Sequence, residues 1–206
     1  MDSSSNITAL DGEDASRELP RLGMWIFLSS ELLFFGVPLF AYGVVRMHSP
    51  AGFTAASAHT EFWLGTLNTA LLLTSSCAIA IAAQAAEAGF DSRARRGLFG
   101  AAALGCVFLV VKAVEYRIET REGLLPGPGF ALDVPGAQLF FAWYFFVTSL
   151  HAIHLLIGVV LCGGLAWRGT RPPDLRRRLP AAALYWHFVD LVWIFLYPLI
   201  YLVGPR

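Results

Sequence analysis

LGMWIFLSSELLFFGVPLFAYGVV, residues 22–45, holds a single charged side chain, Glu31. A helix rising ~1.5 Å per residue over such a run crosses the ~30 Å hydrocarbon layer of a bilayer, and Glu31 falls ~13 Å along it, near the middle. An ionisable group at that depth costs about 2.5–3.5 kcal/mol on insertion scales. Its near neighbours on one helix face, Leu28, Phe35 and Pro38, are apolar. Glu31 therefore meets another helix, a buried water or a lipid headgroup, or it stays protonated. Proton exchange is the more ambitious role for it.

Four more apolar windows of spanning length follow, at about 62–84, 97–117, 136–167 and 182–203. The sequence therefore specifies an all-α fold, an integral membrane bundle of five transmembrane helices. Composition agrees. Charged residues make up 15% of the chain, against about a quarter in soluble domains, and the mean hydropathy is +0.59. The net charge is zero, so nothing indicates a nucleic-acid partner. The fourth window is too long for one perpendicular crossing and is expected to tilt or to project at one end.

Residues 1–20 are polar and acidic, without the positive start and apolar core of a secretory signal. They are expected to be a retained, flexible cytoplasmic tail ahead of a membrane domain at 21–206. Connections are marked by HSPAGF, EAGFDSRARR, LLPGPGF with DVPG, and RGTRPPDLRRRLP. The tail, second and fourth connections carry ten arginines (17, 21, 93, 95, 96, 168, 171, 176, 177 and 178), against four on the other side (46, 117, 121 and 206). The positive-inside rule then puts the N-terminus in the cytoplasm and the C-terminus outside. Cys77, Cys106 and Cys162 lie in apolar segments without CxxC pairing and are expected to be small buried hydrophobes.

The remaining intramembrane polar groups come in spaced pairs. Lys112 and Glu115, with Tyr116 beside them, lie three apart in the third span; His187 and Asp190 repeat the spacing in the fifth. Mutual neutralisation is the expected role of both pairs, with a proton relay as the alternative. His151 and His154 lie mid-span on the fourth helix. Haem ligation there would need one of them opposite His187, and no metal motif such as HExxH occurs. No catalytic residue and no metal site is assigned. Ser29-Ser30-Glu31 lacks the GxSxG setting of a hydrolase. Small and hydroxylic residues in LNTALLLTSSCAIAIAAQ and GLFGAAALG point to close packing of the second and third spans, with Asn68, Thr69, Thr74, Ser75 and Ser76 available for interhelical bonds. No internal repeat supports an inverted-repeat transporter.

Five segments in this order resemble subunit III of the haem-copper oxidases: GMWIFLSSELLFFG (23–36), LNTALLLTSS (67–76), KAVEY (112–116), FFVTSLHAIHLLIG (145–158) and YWHFVDLVWIFLYPLIYLVG (185–204). The resemblance covers about residues 21–204. It implies a non-catalytic subunit of a respiratory, proton-pumping terminal oxidase, with no catalytic centre on this chain. Such a subunit packs on catalytic subunit I and, in the same complex, copper-binding subunit II. Haem and copper are then expected in those partners, with none on this chain, and phospholipid is a candidate bound ligand. A bacterial inner membrane is the expected location. Glu31 falls on the family's carbodiimide-reactive buried glutamate.

There are departures. Ser149 and Ala152 stand where the family often has Gly, and Lys112 where Gln is common. The two extra N-terminal helices of the seven-helix form, which help make a lipid-holding cleft, have no counterpart in the segments matched. KAVEY is similar to the branch that accompanies nitric oxide reductases, so an accessory subunit of such a reductase is the alternative. A free-standing transporter or proton channel is further off, because Glu31, Lys112/Glu115 and His187/Asp190 lie at different depths.

Overall fold

The computed structural model describes residues 3–167 and 172–204, with side chains from Leu22 to Trp167 and from Asp174 to Gly204. Arg17, Arg21, Arg168, Arg171 and Arg206, which enter the charge count, lie outside the described side chains.

Among the described residues six helices follow one another: α1 (Ser3–His48), α2 (Pro50–Ala58), α3 (Phe62–Glu87), α4 (Asp91–Arg121), α5 (Ala137–Trp167) and α6 (Pro172–Tyr201). All but α2 contain a stretch long and apolar enough to cross a membrane. The described residues contain no strand. The five expected spans all appear, and their helices run past the apolar windows at several ends.

The acidic stretch ahead of the first span is helical from Ser3 and continuous with it. Two local expectations change. HSPAGF, expected as a plain connection, contains the start of α2; Pro50 occupies the first turn, where its missing N–H costs nothing. The Arg- and Pro-rich connection before the fifth span is already helix from Pro172, and Pro180 lies inside it.

The chain divides into two compact units, residues 1–37 and 38–206. The first holds most of α1, where Leu28 and Phe35 are buried and Glu31 is half-buried. In the second, α3, α4, α5 and α6 pack each on the next and close into a ring, with α2 lying on α5 and α6. Small residues decide the closest approach. A Cβ on Gly97 of α4 would lie 2.8 Å from the Ala82 methyl and 3.0 Å from the Ala78 carbonyl of α3. This is the tight pairing of the second and third spans that the sequence implies.

The ring is filled by large side chains from α6. Trp193 packs on Phe108 of α4 (4.8 Å between ring centres) and on His151 of α5 (5.1 Å), and donates from Nε1 to Thr69 Oγ1 of α3 at 3.0 Å. Trp186 donates to Ser75 Oγ of α3 at 3.1 Å. One indole therefore ties all four helices and satisfies its own N–H. The last carbonyls of α6, which have no partner in their own helix, are capped from elsewhere. Tyr42 Oη donates to Leu199 O (2.7 Å) and Ser57 Oγ to Ile200 O (2.6 Å). Cys162 is buried as expected, whereas Cys77 and Cys106 are exposed on the outer surface of the bundle. A helix in lipid presents apolar residues on both faces, so apolar context alone does not fix which way a cysteine points.

Candidate functional site

The polar core of the ring lies toward the end where α4 finishes, α5 begins and α6 finishes. Lys112 and Glu115 are one turn apart on α4 and almost wholly buried, at 3% and 0% exposure, with Nζ 3.1 Å from Oε2. The expected pair forms. Two tyrosines close around it. Lys112 Nζ donates to Tyr144 Oη of α5 at 2.8 Å and to Tyr201 Oη of α6 at 2.9 Å. Tyr144 and Tyr201 in turn donate to Glu115 Oε1, at 3.0 and 2.5 Å. The ammonium also stands 4.5 Å from the centre of the Tyr144 ring and 5.5 Å from that of Trp193, within the range of cation–π attraction.

Each donor in this cluster has one acceptor. The three protons of Lys112 go to Glu115, Tyr144 and Tyr201, and the single proton of each tyrosine goes to Glu115. Such completeness lets an ion pair sit in an apolar interior, where desolvation costs several kcal/mol per ion unless every polar atom is matched. Tyr116 lies beside the pair as expected, its ring centre 5.4 Å from Lys112 Nζ, and points its hydroxyl to α5. Its hydroxyl meets Thr148 Oγ1 at 2.5 Å and Ser149 Oγ at 3.2 Å.

One group is left over. Glu119, one turn beyond Glu115, is fully buried, and neither of its carboxylate oxygens has a hydrogen-bond partner among the described residues. The sequence reading did not single it out, although its i,i+4 spacing from Glu115 was visible. Tyr144 and Tyr201 were missed for a different reason: they stand on α5 and α6, and a single sequence does not register those helices against α4.

Deeper in the bundle the pairs expected from spacing come apart. His187 Nδ1 lies 2.6 Å from Ser76 Oγ of α3, while both carboxylate oxygens of Asp190 are buried without a hydrogen bond among the described residues. The expected His187–Asp190 neutralisation therefore does not occur. Positions three apart lie about 60° from one another around a helix, so the spacing permits a pair without enforcing it, and here the imidazole turns to Ser76 of α3. His151 is fully buried, with both ring nitrogens unpartnered among the described residues and its ring against Phe108 and Trp193. Half-buried His154 bonds through Nδ1 to the Leu150 carbonyl at 2.8 Å. Of the expected interhelical donors, Thr69, Ser75 and Ser76 serve α6; Thr74 bonds only within its own helix, and buried Asn68 makes no hydrogen bond among the described residues. No group of three or more His, Cys, Asp or Glu among the described residues is placed to hold a metal ion.

These features define a multi-pass helical membrane protein with a hydrogen-bonded ion pair buried among its helices. Its sequence matches the family model described as cytochrome c oxidase subunit III over residues 10–205, and the chain belongs to that family. Among its relatives, cytochrome c oxidase subunit 3 of Thermostichus vulcanus is 30% identical over 98% of this chain and 96% of that protein. The protein of the same name in Drosophila melanogaster is 32% identical over 89% of this chain and 69% of that protein. Cytochrome bo(3) ubiquinol oxidase subunit 3 of Pseudomonas aeruginosa is 27% identical over 88% and 84% respectively.

Proposed function

We propose that this chain is the non-catalytic third subunit of a haem-copper terminal oxidase in a bacterial inner membrane. It docks as a rigid helical block beside catalytic subunit I, with copper-binding subunit II in the same complex. Haem and copper belong to those partners, and membrane phospholipid covers the apolar faces left free. The N-terminus is cytoplasmic and the C-terminus outside, as the arginine asymmetry indicates. Glu31, half-buried on the first span, is the carboxylate that supports proton uptake on the cytoplasmic side.

The carrying observation is family membership along nearly the whole chain, from residue 10 to residue 205. The geometry supports it. A ring closed by Trp186, Trp193 and the Lys112–Glu115 cluster is a stiff body suited to bracing a neighbour. The test is deletion of the chain in its host, followed by complementation. The oxidase should assemble and start at near-normal rate without it, then lose activity during turnover, with stability restored by the intact chain. Unchanged oxygen consumption through prolonged turnover would contradict the proposal.

A further inference from the structure

We propose that Glu119 is a proton-exchange site, separate from Glu31: a buried carboxylic acid that trades one proton with the water at the α2 end of the bundle, while the Lys112–Glu115 pair beneath it stays fixed. The first support is the distribution of donors. All three protons of Lys112 and the hydroxyl protons of Tyr144 and Tyr201 are directed within the cluster. Glu119, at 0% exposure, has the Tyr144 hydroxyl close by, but that proton is directed to Glu115 and neither Glu119 oxygen makes a hydrogen bond among the described residues.

Charge gives the second support. The cluster holds one ammonium, Lys112, and two carboxylates, Glu115 and Glu119. Both oxygens of Glu115 are already matched, Oε2 by Lys112 and Oε1 by the two tyrosines. An ionised Glu119 would add a second buried negative charge with no hydrogen bond, which an apolar interior disfavours strongly. As a neutral acid it needs no counter-charge. Two carboxylates at one site divide in this way when they cannot both ionise.

Position gives the third. Glu119 lies two residues before Arg121, the last residue of α4, which is ~3 Å of helix rise, and Glu122 just beyond is exposed. The route to bulk water is short, although the carboxyl itself is covered. The groups that face it are Lys112, Glu115, Tyr116 and Glu122 from α4, Tyr144 from α5 and Tyr201 from α6. Exchange breaks only the O–H bond of the acid. The proton passes to water, giving hydronium, and the carboxylate left behind faces the Lys112 ammonium.

The test is infrared difference spectroscopy of the purified complex carrying the full chain, between acidic and alkaline buffers, in H2O and in D2O. A carboxylic-acid carbonyl band should be present at acid pH, shift in D2O and disappear on alkalinisation. It should be absent from Glu119→Gln and retained in Glu31→Gln. Glu119→Asp, which keeps the acid but moves it, should displace the band rather than remove it, so the site can still be read if the amide variant assembles poorly. A band that persists unchanged in Glu119→Gln would overturn the proposal. So would a band that changes on adding sodium at constant pH, because a bound cation would then occupy the site.

Discussion

Replacing Lys112 by Met keeps the length of the side chain and removes its charge. The carboxylate of Glu115, fully buried, then loses the ammonium 3.1 Å away and keeps only the two tyrosine donors on Oε1. Both tyrosine oxygens also lose the proton they accept from Lys112. Breaking a buried pair by removing one partner costs about 3–5 kcal/mol. The double variant Lys112→Met/Glu115→Leu removes the orphaned charge but leaves the Tyr144 and Tyr201 hydroxyls without an acceptor, at about 1–3 kcal/mol each. The double variant should therefore lose far less than the sum of the two single changes, with a coupling energy above ~2 kcal/mol, within the range seen for groups in one network. Lys112→Gln, which can still donate to Glu115, should fall between wild type and Lys112→Met. The assay is reversible unfolding in mixed micelles by denaturing detergent, followed by tryptophan fluorescence, for all variants. Additive single-variant losses, or a Lys112→Met cost below ~0.5 kcal/mol, would refute the claim that this cluster is a coupled, desolvated network.

Other substitutions probe separate parts of the account. His151→Phe retains the aromatic contacts with Phe108 and Trp193 and deletes two nitrogens unpartnered among the described residues, so it should be neutral or stabilising in the same assay; a loss above ~1 kcal/mol would show that the imidazole is satisfied after all. Gly65→Ala places a methyl 2.6 Å from the Tyr201 ring and should displace that tyrosine from Glu115, costing about 1–3 kcal/mol, with the effect largely lost when Tyr201 is already Ala. Glu31→Gln keeps shape and hydrogen bonding, so assembly should be near wild type. Its oxidase activity should fall most at high pH, where proton supply limits, and a pH profile parallel to wild type would defeat the uptake role.

Much of the fold was legible because the bilayer restricts the choices. Apolar runs of spanning length must be helices, and Gly97 opposite Ala82 shows how small residues let two of them touch. The Lys112–Glu115 pair was legible for the same reason, since opposite charges one turn apart in an apolar run have few other uses. Rotation about each helix axis was harder to read. His187 and Asp190 share the same spacing, yet the imidazole goes to Ser76 on α3 and the carboxylate bonds to none of the described residues. Tyr144 and Tyr201 are 29 and 86 residues from Glu115, and a single sequence carries no register between such distant helices. Glu119 was passed over because it stands where a span ends and Glu, Thr and Arg become ordinary again. Its burial follows from the tertiary packing and not from its neighbours in sequence.

The central claim is that this chain is a structural partner of a haem-copper catalytic core. Isolation of the tagged chain from native membranes in mild detergent, with mass spectrometry of what accompanies it, tests that directly. The account predicts a catalytic subunit I of a terminal oxidase together with a copper-binding subunit II, in equal amounts with the chain. Recovery of the chain alone, or with the subunit pair of a nitric oxide reductase, would contradict it.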